Sequence, residues 1–138
     1  MKISLLIVAL SWLGLVGCAR GGAPVATCTP AEAAQRVAAG QAVLVDVREP
    51  AEWAETGVAA PAQLLPLSDL TGERKLWKAF LEKNRERELL LYCRSGNRSG
   101  RAATLLAEEG FRTVNAGSFR AWSAAGLPTR KSTEAPKP

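Results

Sequence analysis

The chain has 138 residues, 47% of them hydrophobic and 22% charged, which fits one compact domain and is too apolar for a disordered chain. It contains no histidine, which excludes Ser-His-Asp triads, Cys-His dyads and mixed Cys/His zinc sites, and its three cysteines are too few for a Cys₄ zinc site or a disulfide framework. The net charge of +5 is interspersed with glutamates, without a long run of like charges, so nucleic acid is not an expected partner.

Residues 1–17, MKISLLIVALSWLGLVG, place Lys2 ahead of an apolar run from Ile3 to Val16. That run is shorter than the roughly 20 residues a bilayer-spanning helix takes, and it reads as a signal peptide. The next feature, Leu15-Val16-Gly17-Cys18, resembles the lipobox of bacterial lipoproteins. The resemblance implies cleavage before Cys18, lipidation of its thiol, and an exported, periplasmic domain held at the membrane by N-terminal lipid. An ordinary cleaved signal, or a short uncleaved anchor, is the alternative. Residues 18–28 are small and read as a flexible linker.

Thr29-Pro30-Ala31-Glu32 is a capping box with proline at the first helical position, which predicts a helix that stops near Gly40. Residues 42–47, AVLVDV, form a strand pattern buried on both faces. Residues 49–55 suit a short helix, with Pro50 early and Gly57 after it, and residues 63–67 are a weaker strand signal because of Pro66. Residues 73–84 carry Leu76, Trp77, Phe80 and Leu81 at helical spacing. Residues 88–92, ELLLY, are a second buried strand, 99–110 a helix, 112–114 a short strand and 119–125 a last helix. The polar, proline-containing stretch 129–138 is expected to be disordered, leaving 29–128 as the domain. Strands alternating with helices imply an α/β fold, a central mostly parallel sheet flanked by helices on both faces.

Without imidazole, a reactive group has to come from Cys, Ser, Lys, Tyr or a carboxylate. Between the strand ELLLY and the helix after it lies Cys93-Arg94-Ser95-Gly96-Asn97-Arg98, followed by Ser99. The carboxyl end of a central parallel strand is where open α/β sheets bind ligands. A tight loop entering a helix turns several N–H groups toward one point, and the helix dipole adds about half a positive charge there. Both favour an anion, including the Cys93 thiolate, and Arg94 and Arg98 add formal charge. The Cys93 thiol is therefore expected below its free pKa of about 8.5, facing solvent as a nucleophile that needs no histidine base. The plain alternative is a buried cysteine at a strand end beside two solubilising arginines.

These residues resemble the rhodanese-like sulfurtransferases. VLVDVREPAEWAETG resembles the family's first motif, CRSGNRSGRAATLLAEEGF its active-site loop and helix, and Gly117-Ser118-Phe119-Arg120-Ala121-Trp122 with AAGLPT its closing pattern. The resemblance implies a persulfide cycle. Cys93 takes sulfur from a small anionic donor such as thiosulfate and passes it to cyanide or a thiol, with no cofactor and no metal. It implies that the loop Arg94, Ser95, Gly96, Asn97 and Arg98, and Arg48 beside it, bind the donor, while Asp46, Ser99 and Trp122 support the site. A structural ion pair is the other reading of Asp46 and Arg48, and Trp53, Trp77 and Trp122 also read as packing, with Trp122 a candidate pocket wall. Thr56-Gly57-Val58 stands where many members carry Gly-His, so that histidine is missing here, and Ser118 replaces the second glycine of the closing pair. Four residues separate Cys93 from Arg98, one fewer than in phosphatase-type loops, which disfavours phosphoryl chemistry.

Cys28 is open at this level: it can be free, pair with Cys93, or act as a resolving thiol. A noncatalytic or redox-regulated binding module of the same fold is the rival function. Oligomeric state is not legible.

Overall fold

The computed structural model describes residues 24–132. The expected signal peptide, the lipobox with Cys18, and residues 133–138 of the expected tail lie outside the described residues.

The central sheet is parallel throughout, in the order β1-β6-β5-β2-β4: β1 (Ala26–Thr27), β6 (Thr113–Ser118), β5 (Glu88–Cys93), β2 (Ala42–Asp46) and β4 (Gln63–Leu64). A second, two-stranded antiparallel sheet pairs β3 (Val58–Ala59) with β7 (Thr129–Arg130). The helices are α1 (Pro30–Ala38), α2 (Pro50–Thr56), α3 (Leu67–Thr71), α4 (Trp77–Lys83), α5 (Asn97–Glu108) and α6 (Phe119–Ala124). The expected α/β class with a parallel sheet is what the chain adopts.

Alternation along the two central strands builds two cores. Val43, Val45, Leu89, Leu91 and Cys93 point to one face, where Leu70, Trp77, Ala102 and Leu106 of the α3, α4 and α5 layer cover them. Ala42, Leu44, Leu90 and Tyr92 point to the other, against Ala33 of α1 and Trp122 of α6. Both central strands are buried on both faces, which is why they read as continuous apolar runs.

Several local expectations are corrected. The predicted linker ends early, because Ala26–Thr27 pair in parallel with β6, and Thr129–Arg130 of the predicted tail pair with β3. Trp122 Nε1 donates to the Pro128 carbonyl, which draws that end of the chain onto the domain. The predicted 73–84 helix begins only at Trp77, because Asp69 of the unforeseen α3 accepts the N–H groups of Lys75, Leu76 and Trp77 and so caps α4 from a distance. The strand predicted over 112–114 starts at Thr113 and runs to Ser118, and α5 starts at Asn97, two residues earlier than expected.

Candidate active site

Cys93 is the last residue of β5, and the period-two alternation that buries Leu89 and Leu91 directs it toward α5. The chain then turns through Gly96, at φ 93°, a left-handed conformation that glycine adopts at little cost, and enters α5 at Asn97. This turn brings the Gly96 N–H to 3.1 Å from Cys93 Sγ and the Ser99 hydroxyl to 3.4 Å. Burial pushes the Cys93 thiol up, but hydrogen bonds from the Ser99 hydroxyl and from the backbone of Ser99, Ser95 and Gly96 together outweigh it, leaving the thiol below its ordinary value. Ser95 and Asn97 are themselves exposed, so Ser95 serves the sulfur through its N–H.

One expectation about Cys93 fails: the residue is 0% exposed, so its sulfur does not face solvent. The same turn that supplies the amide groups closes over the atom they hold.

The arginines divide into two kinds. Arg98 does not point a free charge at the sulfur. Both its terminal nitrogens bond the Glu52 carboxylate at 2.6 Å, and this bidentate pair is the main reason Glu52 is held down at about 2. Arg48, expected either to bind the donor or to brace the loop, is 2% exposed, and its hydrogen bonds tie Asp46 to the end of α2 rather than to the loop. Its Nε and Nη2 donate to Asp46, Nη1 donates to Thr56 Oγ1 at 2.8 Å, and Nη2 also donates to the Gly57 carbonyl at 2.8 Å. The Arg48 guanidinium also lies 4.3 Å from the centre of the Phe119 ring.

Arg94 and Arg120 differ: both are exposed, and no ion pair holds either among the described residues. With Arg48, Glu52, Glu55, Thr56 and Phe119 they line a pocket of about 170 Å³ beside the cradle. Trp122 does not wall this pocket. It is 3% exposed, in the core under α6, so the packing reading holds and Phe119 is the aromatic at the pocket. Ser118 caps α6 through its hydroxyl, which accepts from Ala121 N.

Two further groups escape the sequence reading. Glu52 carried no distinguishing pattern beyond its place in a capping box. Asn115 does carry a signal, an amide inside a strand between core residues Val114 and Ala116, where β-branched or aromatic side chains are favoured. Its side chain bonds the cradle: Nδ2 donates to the Gly96 carbonyl at 2.9 Å, and Oδ1 accepts from the Ser99 hydroxyl at 2.8 Å and from Gly117 N at 3.0 Å.

Cys28 and Cys93 are both free thiols. Cys28 follows β1, whose Thr27 is paired with Asn115 of β6, whereas Cys93 of β5 faces Ser118 across the other edge of β6. Two strand spacings, about 10 Å, separate the chains that carry them, beyond the roughly 7 Å limit for a disulfide. They also pack on opposite faces of the sheet.

The family model for the rhodanese-like domain matches residues 29–125. An uncharacterised Synechocystis protein is 38% identical over 96 residues, covering 68% of this chain and 50% of its own length, so the chain spans half of that relative. A protein of Allochromatium vinosum named sulfurtransferase is 37% identical over 92 residues, covering 62% of this chain and 76% of its own. Among solved structures, a rhodanese-related protein from Thermoplasma volcanium superposes with a TM-score of 0.63 at 27% identity, over 78% of this chain and 99% of that one. A human single-domain sulfurtransferase gives 0.55 at 28% identity, over 75% and 97%. The parallel sheet, the cysteine cradle at the end of β5 and a family match over most of the described residues agree: the chain belongs to the rhodanese-like domain family.

Proposed function

We propose that the chain is a sulfurtransferase that moves a sulfane sulfur from a small anionic donor, thiosulfate or a similar species, to cyanide or a thiol through a persulfide on Cys93. The observation that carries this reading is the Cys93 sulfur held by the Gly96 N–H and the Ser99 hydroxyl at the N-terminus of α5. These donors stabilise negative charge on sulfur in a chain with no imidazole to remove its proton.

The Cys93 thiolate attacks the outer sulfur of the donor. A Cys93 S–S bond forms as the donor's S–S bond breaks, and the electron pair departs with sulfite. The acceptor then attacks the terminal sulfur of the persulfide, giving thiocyanate from cyanide or a new persulfide from a thiol, and the Cys93 thiolate returns. Arg94 and Arg120 supply the positive charge that draws the dianionic donor to the pocket, while Arg48 and Arg98, each held by a carboxylate, fix its walls. Because Cys93 is covered, transfer requires a local opening of the cradle. That burial is also what favours the second reading, a noncatalytic rhodanese-fold module.

Sulfite release from thiosulfate and cyanide by the purified domain separates the two. Turnover by the wild type that vanishes in Cys93→Ser, with one sulfur added to the wild-type mass after thiosulfate alone, is the expected result. A Cys93→Ser protein as active as wild type overturns the assignment. The sequence of residues 1–18 further supports an exported, lipid-anchored form, which metabolic labelling with a fatty acid and its loss in Cys18→Ser would test.

A further inference from the structure

A sulfur cradle is useful only if its donors stay aimed at the sulfur, and one side chain from a different element ties these together. We propose that Asn115 is a positioning residue for Cys93, its side-chain amide fixing both the turn and the hydroxyl that face the sulfur.

Residue Gly96 is gripped at both polar ends. Its N–H donates to Cys93 Sγ at 3.1 Å, while its carbonyl accepts from Asn115 Nδ2 at 2.9 Å and from Gly100 N at 3.1 Å. The Asn115 carbonyl oxygen at the same time takes the Ser99 hydroxyl at 2.8 Å and the Gly117 N–H at 3.0 Å. Only a group that both donates and accepts can hold the loop and the helix together in this way, and an amide does so without a charge beside the thiolate.

The register explains how β6 reaches the site. Leu91 is paired with Asn115 but Cys93 with Ser118, so β6 carries an extra residue there, a bulge next to the cradle with Gly117 at φ 81°. Asn115 is the last β6 residue before that irregularity, and its side chain crosses to the Cys93 and α5 side while Val114 and Ala116 fill the opposite core. Gly100 completes the arrangement. A Cβ there would lie 3.1 Å from Asn115 Nδ2, so glycine within α5 leaves the amide its space.

The arrangement also handles the proton. Ser99 has one hydroxyl hydrogen and three acceptors in reach: Asn115 Oδ1 at 2.8 Å, and Cys93 Sγ and the Gly117 carbonyl at 3.4 Å. Asn115 Oδ1 keeps the Ser99 oxygen within reach of the sulfur, and when the sulfur is ionised the hydroxyl hydrogen turns to it while Oδ1 keeps the Gly117 N–H.

This rests on the reading of Cys93 as the reactive group, but its test does not need turnover. The rate of iodoacetamide alkylation, followed on the Cys93-bearing peptide against pH, has a midpoint set by the thiolate and an amplitude set by cradle opening. Asn115→Leu, neutral and similar in size, is expected to raise the midpoint by about one pH unit, a roughly tenfold loss of thiolate below both midpoints. Gly100→Ala keeps the amide but crowds it, and is expected to raise the midpoint while the melting temperature holds or rises, since alanine is the better helix former. A midpoint at the wild-type value in Asn115→Leu, or in Gly100→Ala should Asn115→Leu fail to fold, overturns the proposal. A wild type that shows the low midpoint but transfers no sulfur overturns the functional reading alone.

Discussion

Replacing Glu52 with glutamine tests the reassignment of Arg98. The substitution keeps the shape of the side chain but removes the charge that takes both Arg98 nitrogens at 2.6 Å. The carboxyl sits at about 2 against its usual 4.5. A displacement of that size is worth on the order of 3 kcal/mol in full. The two side chains are 31% and 24% exposed, and solvent screening at such a site brings the expected loss down to about 1–2 kcal/mol. The folded-state pKa is the depressed one, so the stabilisation is present above 4.5 and disappears as pH falls from there toward 2. Urea unfolding of wild type and Glu52→Gln should therefore differ by about 1–2 kcal/mol near pH 7, by roughly half as much near pH 3, and converge only as pH approaches 2. A gap of the same size at both pH values, or none at neutral pH, would refute the claim that Arg98 is held by Glu52 in solution.

The deeper pair should behave differently. Asp46→Ala leaves the Arg48 guanidinium 2% exposed without its main partner, and an expected loss of about 3–5 kcal/mol should appear in denaturant unfolding, with Asp46→Leu/Arg48→Met losing less than the two single changes together. A loss below about 1 kcal/mol for Asp46→Ala would mean that the pair is more hydrated than its burial implies. At the pocket, Arg120→Gln should raise KM for thiosulfate about fivefold, the equivalent of roughly 1 kcal/mol for one partly solvated charge, with kcat and Tm unchanged. An unchanged KM would remove Arg120 from donor binding.

The strength of a sequence signal here follows how local its cause is. The capping box at Thr29 and Glu32 uses residues three apart, and it forms as the sequence predicts. The runs AVLVDV and ELLLY announce burial on both faces because each strand makes its own pattern, and Cys93 follows from the loop after the second run. The misread elements depend on distant partners. Two-residue strands such as β1 and β7 have no periodicity to detect and exist because β6 and β3 offer them hydrogen bonds. The start of α4 is set by Asp69, six to eight residues away, and a motif that puts Arg98 in the loop says nothing about Glu52, 46 residues earlier. Asn115 was visible only as an anomaly, an amide in a strand, whose meaning required the bulge that aims it.

Four arginines surround the site, and burial decides what each can do. A guanidinium as covered as Arg48 stays charged, and losing water costs several kcal/mol per ion, so its counter-ion Asp46 is a condition for its burial and the pair contributes almost no net field. Arg98 is closer to water, yet its fork fits the Glu52 carboxylate, and that pair too is neutral when seen from the pocket. What remains along the wall is Arg94 and Arg120 against Glu55, a single net positive charge. A field that weak can attract an anion but cannot hold one tightly, which fits the proposed function, in which the donor's remainder leaves as sulfite. The stronger stabilisation is kept for the sulfur, where uncharged N–H and O–H groups act at 3.1–3.4 Å out of contact with solvent. Attraction and activation are thus assigned to different groups, so changing a mouth arginine should move KM and changing the cradle should move the Cys93 midpoint, each leaving the other quantity in place.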